Sequence, residues 1–181
     1  MAETSADVIK HYLDDAIAAE KSFEAQLQGF AKEAEDPAAQ ALFHQHALET
    51  RSQYEKLTAR LEALGGSTST AKSIWAHIFG LGSKTAQVEQ EEQERTTQDL
   101  TIAYAIENSE VAMYESLIAM SEAAGDFETG TLAREIQAQE KDTADKIWNL
   151  IPSAALHAYR RVVDGQPVGS TKRTTTASTL I

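Results

Sequence analysis

The stretch from Leu100 to Ser121 limits the possible folds more than any other part of this chain. A stripe with alternating spacings of three and four runs through Leu100, Ala103, Glu107, Glu110, Tyr114, Leu117 and Ser121, which places all seven on one side of an α-helix. Two glutamates therefore stand where a packed helix carries apolar side chains. Burying an ionised carboxylate costs several kcal/mol even after relaxation, so Glu107 and Glu110 need protons, water or bound cations beside them. Any fold for this chain must bring such compensation to one buried point.

The remaining segments are helical by the same criterion. Prolines occur only at positions 37, 152 and 167, and the long intervals between them lack strand-like alternation. A first helix is predicted to open at Thr4, with Asp7 completing a capping-box-like pair, and to run to about Glu35. Its stripe is Ile9, Leu13, Ala16, Glu20, Phe23, Leu27, Phe30 and Ala34, with Glu20 as the charged member. Asp36-Pro37 reads as a tight turn and cap for a second helix that continues to Leu64, ahead of Gly65-Gly66. Its inward positions are predicted as Leu42, His46, Glu49, Gln53, Leu57 and Leu61.

Residues 65–84 form the longest break, with a short amphipathic helix expected around Ile74, Trp75, Ile78 and Phe79. This length is unnecessary between antiparallel neighbours and suits a crossover along a bundle. The third helix is predicted from near Thr85, with a polar opening that includes Glu89, Glu91, Glu92 and Glu94, and ends before Gly125-Asp126. A fourth runs from Phe127 to Ile151 with Leu132, Ile136, Glu140, Thr143, Ile147 and Leu150 inward. Pro152 is expected to end it and SAALHAYRRVV to make a short fifth helix. The fold expectation is all-α: a four-helix bundle of two hairpins joined by a crossover, over residues 1–164, with a flexible Thr/Ser-rich tail over 165–181.

Composition narrows the chemistry. With 28 acidic and 16 basic residues the net charge is -12, which argues against nucleic-acid binding. The absence of cysteine excludes disulfides, iron–sulfur clusters, thiolate-zinc sites and cysteine nucleophiles, so any metal would take oxygen and imidazole ligands. The amino-terminal residues carry no basic flank before an apolar core, and no apolar run approaches the ~18 residues of a membrane span. A cytoplasmic protein without membrane partners is the expectation.

Counted from the two hairpin turns, Glu20 and Glu49, and likewise Glu107 and Glu140, lie at depths differing by only ~6 Å at 1.5 Å per residue. Glutamates from four helices at one level would carry a charge balanced by two divalent cations, and hard carboxylate ligands suit iron, ahead of manganese. Glu110 adds a further donor, and His46 is the histidine within reach. Gln53 is expected to donate a hydrogen bond to one of the carboxylates. Tyr114, beside Glu110 in the stripe, is read first as packing.

The stretches YLDDAIAAEKSFEAQL, HQHALETRSQ, YAIENSEVAMYESL and QAQEKDTADKIWNLIP resemble the YciE/YciF family of ferritin-like proteins over residues 10 to about 155. The resemblance implies a ferritin-like four-helix bundle, a homodimer, an association with stress responses and a candidate metal site. Carried over position by position, it points to Glu20, His46, Glu49, Gln53, Glu107, Glu110, Glu140 and Asp145, although Asp145 is turned off the face of Glu140. The chain departs from the wider ferritin-like pattern, because Glu49 and Glu140 are followed at Glu-x-x-His spacing by Ser52 and Thr143. The functional expectation is a dinuclear site of Glu20, Glu49, Glu107, Glu110, Glu140 and His46 that oxidises Fe(II) with oxygen or peroxide. The alternative is a metal-free helical interaction protein of the stress response whose acids are hydrated or share protons.

Overall fold

The structure, a computed structural model, describes residues 4–69 and 94–164. These form four helices: α1 (Ser5–Glu33), α2 (Pro37–Ala63), α3 (Arg95–Ala124) and α4 (Phe127–Asp164). The caps follow from local chemistry. The Thr4 hydroxyl accepts from the Asp7 amide at 3.2 Å while the Asp7 carboxylate accepts from the Thr4 amide at 3.2 Å, closing the predicted capping box. The Asp36 carboxylate accepts from the amides of Ala38 and Ala39, and Pro37 occupies the first helical position, where no N–H is required. α3 stops at Gly125, whose φ of 72° is open to glycine without strain, and the Asp126 amide donates back to the Ser121 carbonyl at 2.8 Å.

α1 packs on α2 and α3 on α4 as antiparallel hairpins, with further contacts between α1 and α3 and between α2 and α4. The Glu35 amide donates to Thr96 Oγ1 at 3.2 Å, so α3 begins at the end of the bundle where α1 finishes. α2 and α3 consequently run the same way, and the chain must travel the length of the bundle between them. Ser69 bonds Asp14 at 2.9 Å, which shows the chain turning back along α1 as it leaves α2. At the opposite end from Glu35, Arg60 of α2 joins the hairpins, reaching Asp126 at 2.6 Å, Glu128 at 2.5 Å and Thr129 at 2.8 Å. The predicted crossover helix, the opening of the third helix near Thr85 and the tail lie outside the described residues.

Two local expectations are corrected. Pro152 does not end the fourth helix, and the segment expected as a separate fifth helix is the continuation of α4. A proline inside a helix removes one hydrogen bond and crowds the preceding turn, at about 3 kcal/mol. Here Ala154 and Ala158 of the continuation are buried, the Ser153 hydroxyl bonds the Leu150 carbonyl, and Arg161 reaches Glu35, so tertiary contacts offset that cost. On α2 the buried stripe runs through Ala39, Phe43, His46, Thr50, Gln53, Leu57 and Leu61. Leu42 is only half-buried and Glu49 stands at the rim, because this rotation seats Phe43 against Phe30 and buries a threonine in place of a charge.

Candidate metal centre

At mid-height the four stripes bring their polar members together. Glu20, Glu107, Glu110 and Glu140 are fully buried, and His46 and Gln53 nearly so. Each reaches the centre because the helix around it is anchored by apolar neighbours one turn away, such as Phe23 beside Glu20, Ala103 before Glu107 and Ile136 before Glu140. His46 lies at the focus. Its Nε2 is 2.7 Å from Glu107 Oε1 and 3.6 Å from Glu140 Oε2, and the Phe23 ring meets the imidazole edge-on at 5.7 Å. His46, Glu107 and Glu140 each offer a ligand atom lying within 4.8 Å of the other two.

The other side of the ring faces outward. Nδ1 is 3.6 Å from Glu49 Oε2 and 3.5 Å from Thr143 Oγ1. Glu49 thus stands behind the imidazole, where a carboxylate fixes ring orientation and leaves the far nitrogen for a ligand. The geometry does not bring Glu49 to the same point as the four buried acids. Asp145 is exposed and remote in face from Glu140.

Two neighbours set the remaining carboxylates. The Tyr114 hydroxyl donates to Glu20 Oε1, and Tyr114 is itself fully buried. The Gln53 amide donates to Glu140 Oε1 and lies 3.1 Å from Gln139 Oε1, which turns Glu140 Oε2 toward His46. The donor role expected of Gln53 follows this geometry. Tyr114 was legible as a stripe position, but its bond to Glu20 depends on how α1 meets α3. Thr143 occupies the place where Glu-x-x-His spacing would put a second imidazole, and that spacing was the signal for it.

Most carboxylate oxygens of the cavity lack a hydrogen-bond partner. Glu20 Oε2, both oxygens of Glu107 and of Glu110, and Glu140 Oε2 are buried without a hydrogen-bond partner. The close approach of His46 Nε2 to Glu107 is a charge contact in which the ring N–H is not aimed at the oxygen. Burial, followed by repulsion from neighbouring carboxylates, holds Glu110 and Glu140 well above the ordinary range. Glu20 is lifted to about 8 by burial, against the Tyr114 hydrogen bond and the His46 charge, with Glu107 adding to the rise. For His46 burial works downward, but the charge and contact of Glu107, with Glu49 and Glu20, outweigh it and raise the imidazole to about 9. The His46 contact holds the Glu49 carboxyl down at about 2.

Such a cavity closes in one of two ways, by retaining protons or by admitting cations. Unpartnered carboxylate oxygens around one imidazole nitrogen form a donor set that fits a hard divalent metal.

Comparison with known proteins agrees with this architecture. A family model described as Domain of unknown function (DUF892) matches residues 4–159. Protein YciF of Escherichia coli (strain K12) is 25% identical over 151 residues, covering 82% of this chain and 90% of its own. The crystal structure of that stress protein superposes with a TM-score of 0.74 at 22% identity, over 86% of this chain and 99% of that one. A protein of Xanthomonas campestris pv. campestris superposes with a TM-score of 0.72 at 26% identity, over 87% and 97% of the two chains. A dodecameric thioferritin, the bacterioferritin-related protein of Bacteroides fragilis, gives 0.63 at 15% identity, over 85% and 90%. The fold is therefore an all-α, ferritin-like bundle, and no described helix is long and apolar enough to cross a membrane.

Proposed function

This chain belongs to the DUF892 family, the family of YciF, and from that premise we propose that its buried carboxylate–imidazole cluster is a dinuclear metal site. The observation that carries the reading is the gathering of four fully buried glutamates, most of their oxygens unpartnered, two of which, Glu107 and Glu140, meet at one nitrogen of His46. His46, Glu107 and Glu140 would hold one cation and Glu20 with Glu110 the second, iron ahead of manganese. Bound iron would supply one-electron chemistry, the oxidation of Fe(II) with oxygen or peroxide as acceptor. The chain's own residues orient that site: Glu49 steadies the imidazole through Nδ1, Gln53 aims the free oxygen of Glu140, and Tyr114 holds Glu20. The apolar side chains above and below exclude bulk water, which strengthens every charge interaction inside.

A stress-associated, cytoplasmic homodimer is the setting we infer, and the relation to the E. coli stress protein supports its association with stress. The decisive experiment is metal analysis of protein purified without chelator, followed by anaerobic Fe(II) titration. Close to two ions per chain are expected, and absence of binding at micromolar metal would sink the proposal.

A second reading, a metal-free helical interaction protein, is favoured by one observation: Glu20, Glu110 and Glu140 are all shifted so as to keep protons, which lets the interior close without cations. In that case added metal leaves thermal stability unchanged, and replacing Glu20 by glutamine stabilises the protein with or without metal.

A further inference from the structure

The outer face of α4 changes character along its length. Up to Asp145 it alternates charges with small residues, including Arg134, Lys141 and Asp145 itself. Beyond that point Trp148, Pro152, Ala155, Leu156, Tyr159, Val162 and Val163 recur at three and four residues on one side of the helix, and every one is exposed. The opposite side of the same turns is already used, since Ala154 and Ala158 are buried and Arg161 reaches Glu35. Among the described residues nothing covers this second apolar face.

We propose that this stripe is where a second copy of the chain docks, with the two α4 helices antiparallel about a two-fold axis between Ala155 and Leu156. The proposal rests on the homodimer reading above and names its surface. Four observations support a copy of the same chain as occupant. The stripe is self-complementary in that register: Trp148 would meet the partner's Val163, Tyr159 the partner's Pro152, and Leu156 the partner's Ala155, a large side chain against a smaller one each time. Trp148, Leu156, Tyr159, Val162 and Val163 are each between 51% and 63% exposed, leaving roughly 600 Å² per protomer, the lower limit for a stable two-chain interface. That is also about the largest apolar patch a soluble monomer tolerates. Finally, a chain of net charge -12 repels its copy, and residues 148–163 carry no acidic side chain while including Arg160 and Arg161, so that repulsion is relieved along this stripe. Trp148 is held in place beforehand by a tilted ring contact with Tyr104, centroids 5.3 Å apart, as an interface anchor should be.

The test is sedimentation equilibrium of the full chain and three variants, with helicity and thermal midpoint recorded for each. The unmodified protein is expected to be a dimer at micromolar concentration. Leu156→Glu should weaken association by at least about 30-fold, as for a central interface residue, with helicity unchanged. Because the chain has no cysteine, Ala155→Cys provides an independent arm: placed beside the axis, it should form a disulfide-linked dimer under mild oxidant, whereas Leu48→Cys on the exposed face of α2 should not. A dimer that tolerates Leu156→Glu, or in which Ala155→Cys cross-links no better than Leu48→Cys, overturns the surface but leaves the homodimer. A monomeric unmodified protein overturns both.

Discussion

Replacing Glu20 by glutamine separates the chemistry of the buried cluster from its shape. In the unfolded chain Glu20 titrates near 4.5, and in the folded, metal-free protein burial lifts it to about 8. Between those values folding takes up a proton at this position. An acid with a raised folded value makes stability fall as pH rises through that window, by about 1.4 kcal/mol per pH unit. At pH 7 the penalty is at most about 3 kcal/mol. Glutamine removes it while keeping a carbonyl oxygen for the Tyr114 hydroxyl. Metal-free Glu20→Gln should therefore match the parent near pH 4.5 and exceed it increasingly toward pH 8. At pH 7 the gain would be about 6–12 °C in Tm, at 2–4 °C per kcal/mol for a chain of this size. Scanning calorimetry of chelator-treated protein at pH 5, 6, 7 and 8 measures this directly. Other groups titrate in the same interval, among them Asp99, which burial and the nearby Glu33 raise to about 7. The parent-minus-variant difference cancels groups such as Asp99 and leaves Glu20 together with the cluster neighbours whose titration it influences. With a divalent metal at 100 times its Kd the parent should gain about 2.7 kcal/mol and the variant much less. A difference that does not change with pH, or a variant less stable without metal, would refute the reasoning.

Three further outcomes follow from the same geometry. Metal affinity should rise between pH 6 and 9 with net proton release, because His46 and the buried carboxyls must give up protons that they hold without metal; calorimetric titration in buffers of different ionisation enthalpy counts those protons, and none released would contradict the site. Glu49→Gln should lower metal affinity about 10-fold or more through loss of the Nδ1 partner, while circular dichroism shows an unchanged helical bundle. Arg60→Ala breaks contacts with Asp126, Glu128 and Thr129 and should destabilise the protein by about 2–3 kcal/mol in urea titrations, with metal affinity preserved because the hairpin ends lie far from the cluster.

Much of this architecture is legible in the chain because it depends on local rules. Thr4 with Asp7, Asp36 with Pro37, and Gly125 set helix ends through bonds within a few residues, so their positions can be read without knowing what packs where. The stripe on α1 is equally readable, since its large side chains leave a single choice of buried face; on α3 apolar residues such as Ile102, Ile106 and Ile118 surround the helix, and the stripe through Glu107 and Glu110 is read from its three-and-four spacing. The four fully buried acids of the cluster belong to stripes on α1, α3 and α4 that the chain declares by itself.

What required tertiary structure was each case where the local signal was degenerate or overridden. On α2 the polar run around His46 allows either Leu42 and Glu49 or Phe43 and Thr50 to face inward. Packing of Phe43 against Phe30 selects the second, leaving Glu49 behind the imidazole rather than among the buried acids. Pro152 signals a break by its own backbone, yet the burial of Ala154 and Ala158 and the bond from Arg161 to Glu35 carry α4 past it. The pairings of Tyr114 with Glu20 and of Gln53 with Glu140 join residues 94 and 87 positions apart. Periodicity states which side of a helix is buried; which carboxylate oxygen is satisfied and which is left facing the cavity is decided only when a second helix brings its own donor to that depth.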